Sequence, residues 1–136
     1  MRRLFFLALP EMDYIVDNAH ISIIEKNYLK TTYKNKALLN AKHLEKIRGK
    51  YSEILHNEDI SHLRLILIFE GDIEVSRDIG ERYLVERVRP KIGEALVAQN
   101  PKTLEYLRAA SAVMSKSHPV KSFSNEEEAD AWLKNL

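Results

Sequence analysis

The chain has 136 residues, with 21 Lys and Arg against 20 Asp and Glu, 45% hydrophobic residues and no cysteine. That length suits one domain burying roughly two thirds of the surface its unfolded chain exposes, and the composition excludes wholesale disorder, disulfides, thiolate nucleophiles and cysteine-ligated zinc. Two of the positive charges, Arg2 and Arg3, stand at the start, and the near-neutral remainder lacks the broad positive field that nonspecific nucleic-acid binding requires.

The opening Met1-Arg2-Arg3-Leu4-Phe5-Phe6-Leu7-Ala8-Leu9-Pro10 imitates a signal peptide, but its apolar run is six residues long and Pro10-Glu11 replaces a small-residue cleavage site. It is also far short of the ~20 apolar residues a membrane span takes. Residues 1–16 therefore read as an N-terminal arm or extra strand, with an extension upstream of a true start at Met12 and an interfacial anchor as the other readings. The apolar arm and the edge strands offer a surface for a homodimer. Residues 17–136 read as a single α/β domain.

Within that domain, Ala19 to Glu25 alternates as a strand with one buried face, and Tyr28 to Tyr33 returns as its hairpin partner across Lys26-Asn27. Asn tolerates the left-handed backbone that such a turn demands. Asn40 is placed to cap a helix with apolar positions Leu44, Ile47, Tyr51, Ile54 and Leu55. Gly49 inside it costs about 1 kcal/mol relative to Ala, so either the helix is loose there or something packs closely.

Leu63-Arg64-Leu65-Ile66-Leu67-Ile68-Phe69 carries one charge in seven residues, too apolar for a strand with a wetted face. It reads as the central strand of a mostly parallel sheet covered on both sides. Glu70-Gly71-Asp72-Ile73-Glu74 follows at its carboxyl end, where open α/β sheets bind ligands. Ser76 is placed to cap a helix over Ile79, Tyr83, Leu84 and Val88 that Pro90 terminates. Ile92 to Ala98 supplies the next strand, and Asn100-Pro101 opens a helix with Leu104, Leu107, Ser111 and Met114 on one face. His118 to Phe123 is a last strand whose Pro119 argues for an edge. Ser124 to Glu127 forms a capping box for a terminal helix, with Ala129, Trp132, Leu133 and Leu136 on its apolar side and Trp132 as anchor.

The order β-β-α-β-α-β-α-β-α, closed by the segment Phe123-Ser124-Asn125-Glu126-Glu127-Glu128-Ala129-Asp130-Ala131-Trp132-Leu133, resembles STAS-like domains, the fold of anti-sigma-factor antagonists. It is most similar to a small bacterial branch with a terminal F-x-x-x-E-E-A-x-x-W-L helix. The resemblance runs from about Asp17 to Leu136 and implies a cytoplasmic regulatory or protein-interaction domain without chemistry, cofactor or metal of its own. In some members a serine in a D-S-S-G-L-G-like turn is phosphorylated. Here the turn is Val75-Ser76-Arg77-Asp78-Ile79-Gly80, in which Ile79, Gly80 and Ser76 match while the acceptor position falls on Arg77. An alignment shifted by one residue would move Ser76 onto the acceptor position, which makes Ser76 a phosphorylation candidate on that reading and a helix cap on the other.

Other chemistries are weaker in the sequence. Glu70, Asp72, Glu74 and Asp78 come with no P-loop or dinucleotide loop, but Glu70 and Asp72 could hold Mg²⁺ with water and a phosphate. A small ligand or lipid tail beneath the helix of Leu104, Leu107 and Met114 is a further alternative. The histidines at 20, 43, 56, 62 and 118 show no metal spacing and read as surface or turn residues. Arg77, Arg82, Arg87, Arg89 and Lys91 alternate with acids, as on a solvated helix face, and could also form a patch that meets an acidic partner. The expected recognition edge is Glu70, Asp72, Ser76, Arg77 and Arg82, facing a protein partner and not nucleic acid.

Overall fold

A computed structural model describes residues 13–25, 27–54, 63–77, 92–113 and 119–136. Among them, strands and helices follow in the order β1 (Asp13–Val16), β2 (Ala19–Glu25), β3 (Tyr28–Tyr33), β4 (Ala37–Leu39), α1 (Ala41–Ile54), β5 (Arg64–Phe69), β6 (Ile73–Val75), β7 (Gly93–Ala98), α2 (Pro101–Val113), β8 (Val120–Phe123) and α3 (Glu126–Lys134). The helix expected after Ser76, with Arg82, Arg87, Arg89 and Lys91, lies outside the described residues, as do His56, His62, Met114, His118 and residues 1–12.

Six strands form one sheet in the order β1-β2-β3-β5-β7-β8. The first two pairings are antiparallel and the remaining three parallel, so an antiparallel entry leads into a mostly parallel α/β sheet. The expected hairpin forms across Asn27, whose φ of 63° is the left-handed value its side chain tolerates. A second hairpin precedes it. Val16 pairs with Ala19 across Asp17-Asn18, and Asp17 takes φ 55°, which brings residues 13–16 into the sheet as its edge strand.

The burial of β5 explains the layering. Leu65, Leu67 and Phe69 enter a core with Ile47 and Tyr51 of α1 and Leu104 and Leu107 of α2. On the opposite face Ile66 meets Tyr28, Ala95 and Val97 beneath Ala129 and Leu133 of α3. With period-two side chains, a strand between two dry layers must be apolar at both parities. The one charge in the run has its own solution: Arg64 Nε donates to the Leu133 carbonyl at 2.7 Å and Nη2 to that of Leu136 at 3.2 Å. A cation thereby serves carbonyls at the carboxyl end of α3.

Several local expectations shift. Asn125 and not Ser124 caps α3, accepting from the Glu128 amide at 2.8 Å. The cap-to-third-residue pattern also fits Asn125 with Glu128, one residue downstream of the expected box. Ala129 and Leu133 are completely buried, whereas Trp132 is only partly covered and leans on Phe123 at 5.5 Å between ring centroids. Leu133 is therefore the deeper anchor. An ideal Cβ built on Gly49 meets nothing within 4 Å, so no close packing accounts for that glycine. Pro119 precedes β8 at the sheet's other edge and spends its carbonyl on the Glu94 amide at 2.9 Å.

Two-sided burial has a measurable consequence. Leu65→Ala and Ile66→Ala, on opposite faces of β5, are each expected to lower unfolding free energy by about 2–5 kcal/mol in denaturant titrations. A strand wetted on one face would lose no more than about 0.5 kcal/mol at one of the two positions.

Candidate functional site

At the carboxyl end of β5 the chain turns through Glu70, Gly71 and Asp72, and three separate elements hold that turn. The Glu70 amide donates to the Tyr33 carbonyl at 2.8 Å, and the Lys36 amide to the Asp72 carbonyl at 2.6 Å. Asn35 Oδ1 accepts from the Asp72 amide at 2.8 Å. From the other side, Thr103 Oγ1 donates to the Gly71 carbonyl at 2.9 Å. Thr103 is buried, and Asn100 caps α2 beside it, accepting from the amides of Lys102 and Thr103. Gly71 takes φ 80°, and a Cβ there would run into Asn35. The glycine meets both the left-handed backbone and the close approach.

Beyond the turn, Ile73–Val75 form β6, paired in parallel with β4 through Ala37↔Ile73, Leu38↔Glu74 and Leu39↔Val75. The Ser76 amide extends this ladder to the Leu39 carbonyl at 2.8 Å. A hollow of about 430 Å³ opens beside β6. Asp72, Ile73, Val75, Ser76 and Arg77 line one side, and Lys102, Thr103 and Tyr106 of α2 the other. Burial pushes the Tyr106 hydroxyl above its usual range. A second hollow of about 330 Å³ lies at the ends of β5 and β7, between Glu70 and the Asn125–Glu126 start of α3.

Asp72, Ser76 and Arg77 are thus brought together, while Glu70 borders the other hollow and Arg82 lies outside the described residues. The two carboxylates that suggest a Mg²⁺ corner in the sequence are lining residues of different hollows. No group of three or more His, Asp or Glu among the described residues is arranged to hold a metal ion. Leu104 and Leu107, a ligand's resting place on the sequence reading, are buried in the core. Lys102, Thr103 and Tyr106 carry no site signal in the sequence. The Asn100-Pro101 helix start foretells the helix without foretelling what it faces.

A polar chain that runs from exposed Asp17 to buried His43 and Tyr33 stands behind this end of the sheet. His43, expected at the surface, is 4% exposed. Its Nδ1 lies 2.9 Å from Asp17 Oδ2 and its Nε2 3.0 Å from the Tyr33 hydroxyl. Asp17 is a carboxylate and can only accept, so in the neutral ring Nδ1 carries the proton and Nε2 accepts from Tyr33. Burial, reinforced by Tyr51, Glu94 and Asp17, keeps the Tyr33 hydroxyl protonated. The hydrogen bond from His43, with help from Lys46 and against a burial penalty, holds the Asp17 carboxyl below its usual range. Tyr33 in turn stacks on Phe69 at 5.0 Å and 4°, which links α1 to the residue before the turn.

Compared with models of known protein families, with curated proteins and with solved structures, the chain finds no match in any of the three.

Two outcomes follow from this geometry. Gly71→Ala is expected to cost about 1–2 kcal/mol from the left-handed backbone, and more if Asn35 cannot move. In an Asn35→Ala background, which already lacks both the obstruction and the bond to the Asp72 amide, Gly71→Ala should cost only the backbone part, read from denaturant midpoints. For Asp17, whose folded pKa lies below the unfolded 3.8, the stabilisation is fully present above pH 3.8 and lost as pH falls through the folded value. The stability gap between the native chain and Asp17→Asn should therefore close on acidification below pH 3.8. A gap constant from pH 7 to pH 2 would show that the carboxylate's charge contributes nothing.

Proposed function

We propose that this chain is a noncatalytic regulatory or protein-interaction domain of the STAS-like type, working in the cytoplasm through the turn and strand that follow β5. The carrying observation is the clamped turn. Asn35, Lys36 and Thr103 hold residues 71 and 72 from two sides, and the next residues surround a hollow rimmed by exposed Arg77 and Lys102. A preorganised surface of this sort binds without first losing the entropy of a loose loop. The order of elements and the Phe123–Leu133 segment support the STAS-like type. Among the described residues no helix is long and apolar enough to cross a membrane.

The reading is tested by capture from a lysate of the native host, with mass-spectrometric identification and two baits of matched melting temperature. The native chain is expected to retain a protein that Asp72→Lys, Arg77→Glu releases by at least tenfold. Equal retention by both baits would remove this surface, and turnover of a small molecule by the purified chain would overturn the noncatalytic reading.

A further inference from the structure

Among the described residues, the hollow beside β6 contains a strand edge that no other strand pairs with. In a parallel pair, alternate residues turn both their N–H and C=O toward the neighbour. The Ser76 amide bonds the Leu39 carbonyl, which assigns residues 74 and 76 to the β4 side and turns the peptide groups of Val75 the other way. β6 pairs with β4 alone among the described strands. Val75 and Ile73 are also half-buried lining residues of the hollow that has α2 on its far side. An edge without a partner among the described strands, with its own donor and acceptor beside partly covered apolar side chains, suits an added strand.

Charge selects what that strand carries. Arg77 at the end of β6 and Lys102 at the start of α2 are both exposed on the rim, and among the described lining residues they face one acid, Asp72. The first turn of α2 adds the positive end of a helix dipole to the same side. Tyr106, 40% exposed, offers an aromatic face one turn further along. We infer that an extended acidic segment of a partner protein adds to the outer edge of β6, exchanging main-chain hydrogen bonds with Val75. Its carboxylates meet Arg77 and Lys102, and an apolar side chain rests against Tyr106. This rests on the protein-interaction reading above and specifies the partner's chemistry. Main-chain pairing supplies affinity, while the two cations select against basic segments.

The test uses the full chain and a bead library of random seven-residue peptides. Selection is expected to enrich peptides with Asp or Glu alternating with apolar residues. The best of them, followed by fluorescence anisotropy, should bind Arg77→Glu, Lys102→Glu at least tenfold more weakly. N-methylation of one alternate set of its backbone nitrogens should cost at least tenfold, while methylation of the other set costs little. This last comparison leaves the protein unaltered, so it does not depend on any variant folding. Enrichment of basic or uncharged peptides, no enrichment, or equal effects of the two methylation sets would each overturn strand addition. If a captured protein still depends on Asp72 and Arg77 in that event, contact through this surface stands and only the acidic added strand is lost.

Discussion

The layering of this molecule traces back to the drying of β5 on both faces. Leu65, Leu67 and Phe69 are buried against α1 and α2, and Ile66 against α3. Fully burying side chains of this size stabilises by about 1.5–3 kcal/mol each, so the strand's position tolerates little slippage. A one-residue shift would exchange the two cores' side chains throughout. Because β5 is pinned, the point at which it ends is pinned as well, and the turn at Glu70–Asp72 begins from a fixed place.

The turn is then locked by groups remote in sequence. Asn35 and Lys36 reach it from the β3–β4 connection and Thr103 from α2. Behind it, Tyr33 stacks on Phe69 while its hydroxyl engages His43, and His43 engages Asp17. A first-turn residue of α1 is therefore tied through β3 to the end of the central strand. A polar chain buried at His43 and Tyr33 is stabilising only when its buried members are satisfied, and here the ring nitrogens of His43 both have partners. The end of β5 is thereby tied to α1, β3 and α2 just before the chain enters β6, whose Ile73 and Val75 line the hollow with Arg77 and Lys102.

How far the sequence can be read depends on whether a signal is local. The hairpin across Asn27, the cap at Asn40, the start of α2 at Asn100-Pro101 and the edge strand after Pro119 each depend on a few adjacent residues, and each is found in place. The cap of α3 moves by one residue because Ser124 and Asn125 both suit the role. β1 hides within the N-terminal arm, although Asp17-Asn18 after Tyr14-Ile15-Val16 is a usable turn signal. β4 and β6 escape because three-residue strands show too little alternation to distinguish from loop.

By itself the sequence determined the α/β class, the central strand and its two-sided burial, since hydrophobic patterning and caps act over a few residues along the chain. It also marked Asp72, Ser76 and Arg77 as following that strand. Only the tertiary structure decided that Glu70 and Asp72 border separate hollows, that Lys102 and Tyr106 stand across from Arg77, and that His43 is buried between Asp17 and Tyr33. Those relations join residues about 10 to 30 positions apart or more, and no local propensity specifies them: they exist because packing the helices onto β5 brings distant segments to the same end of the sheet.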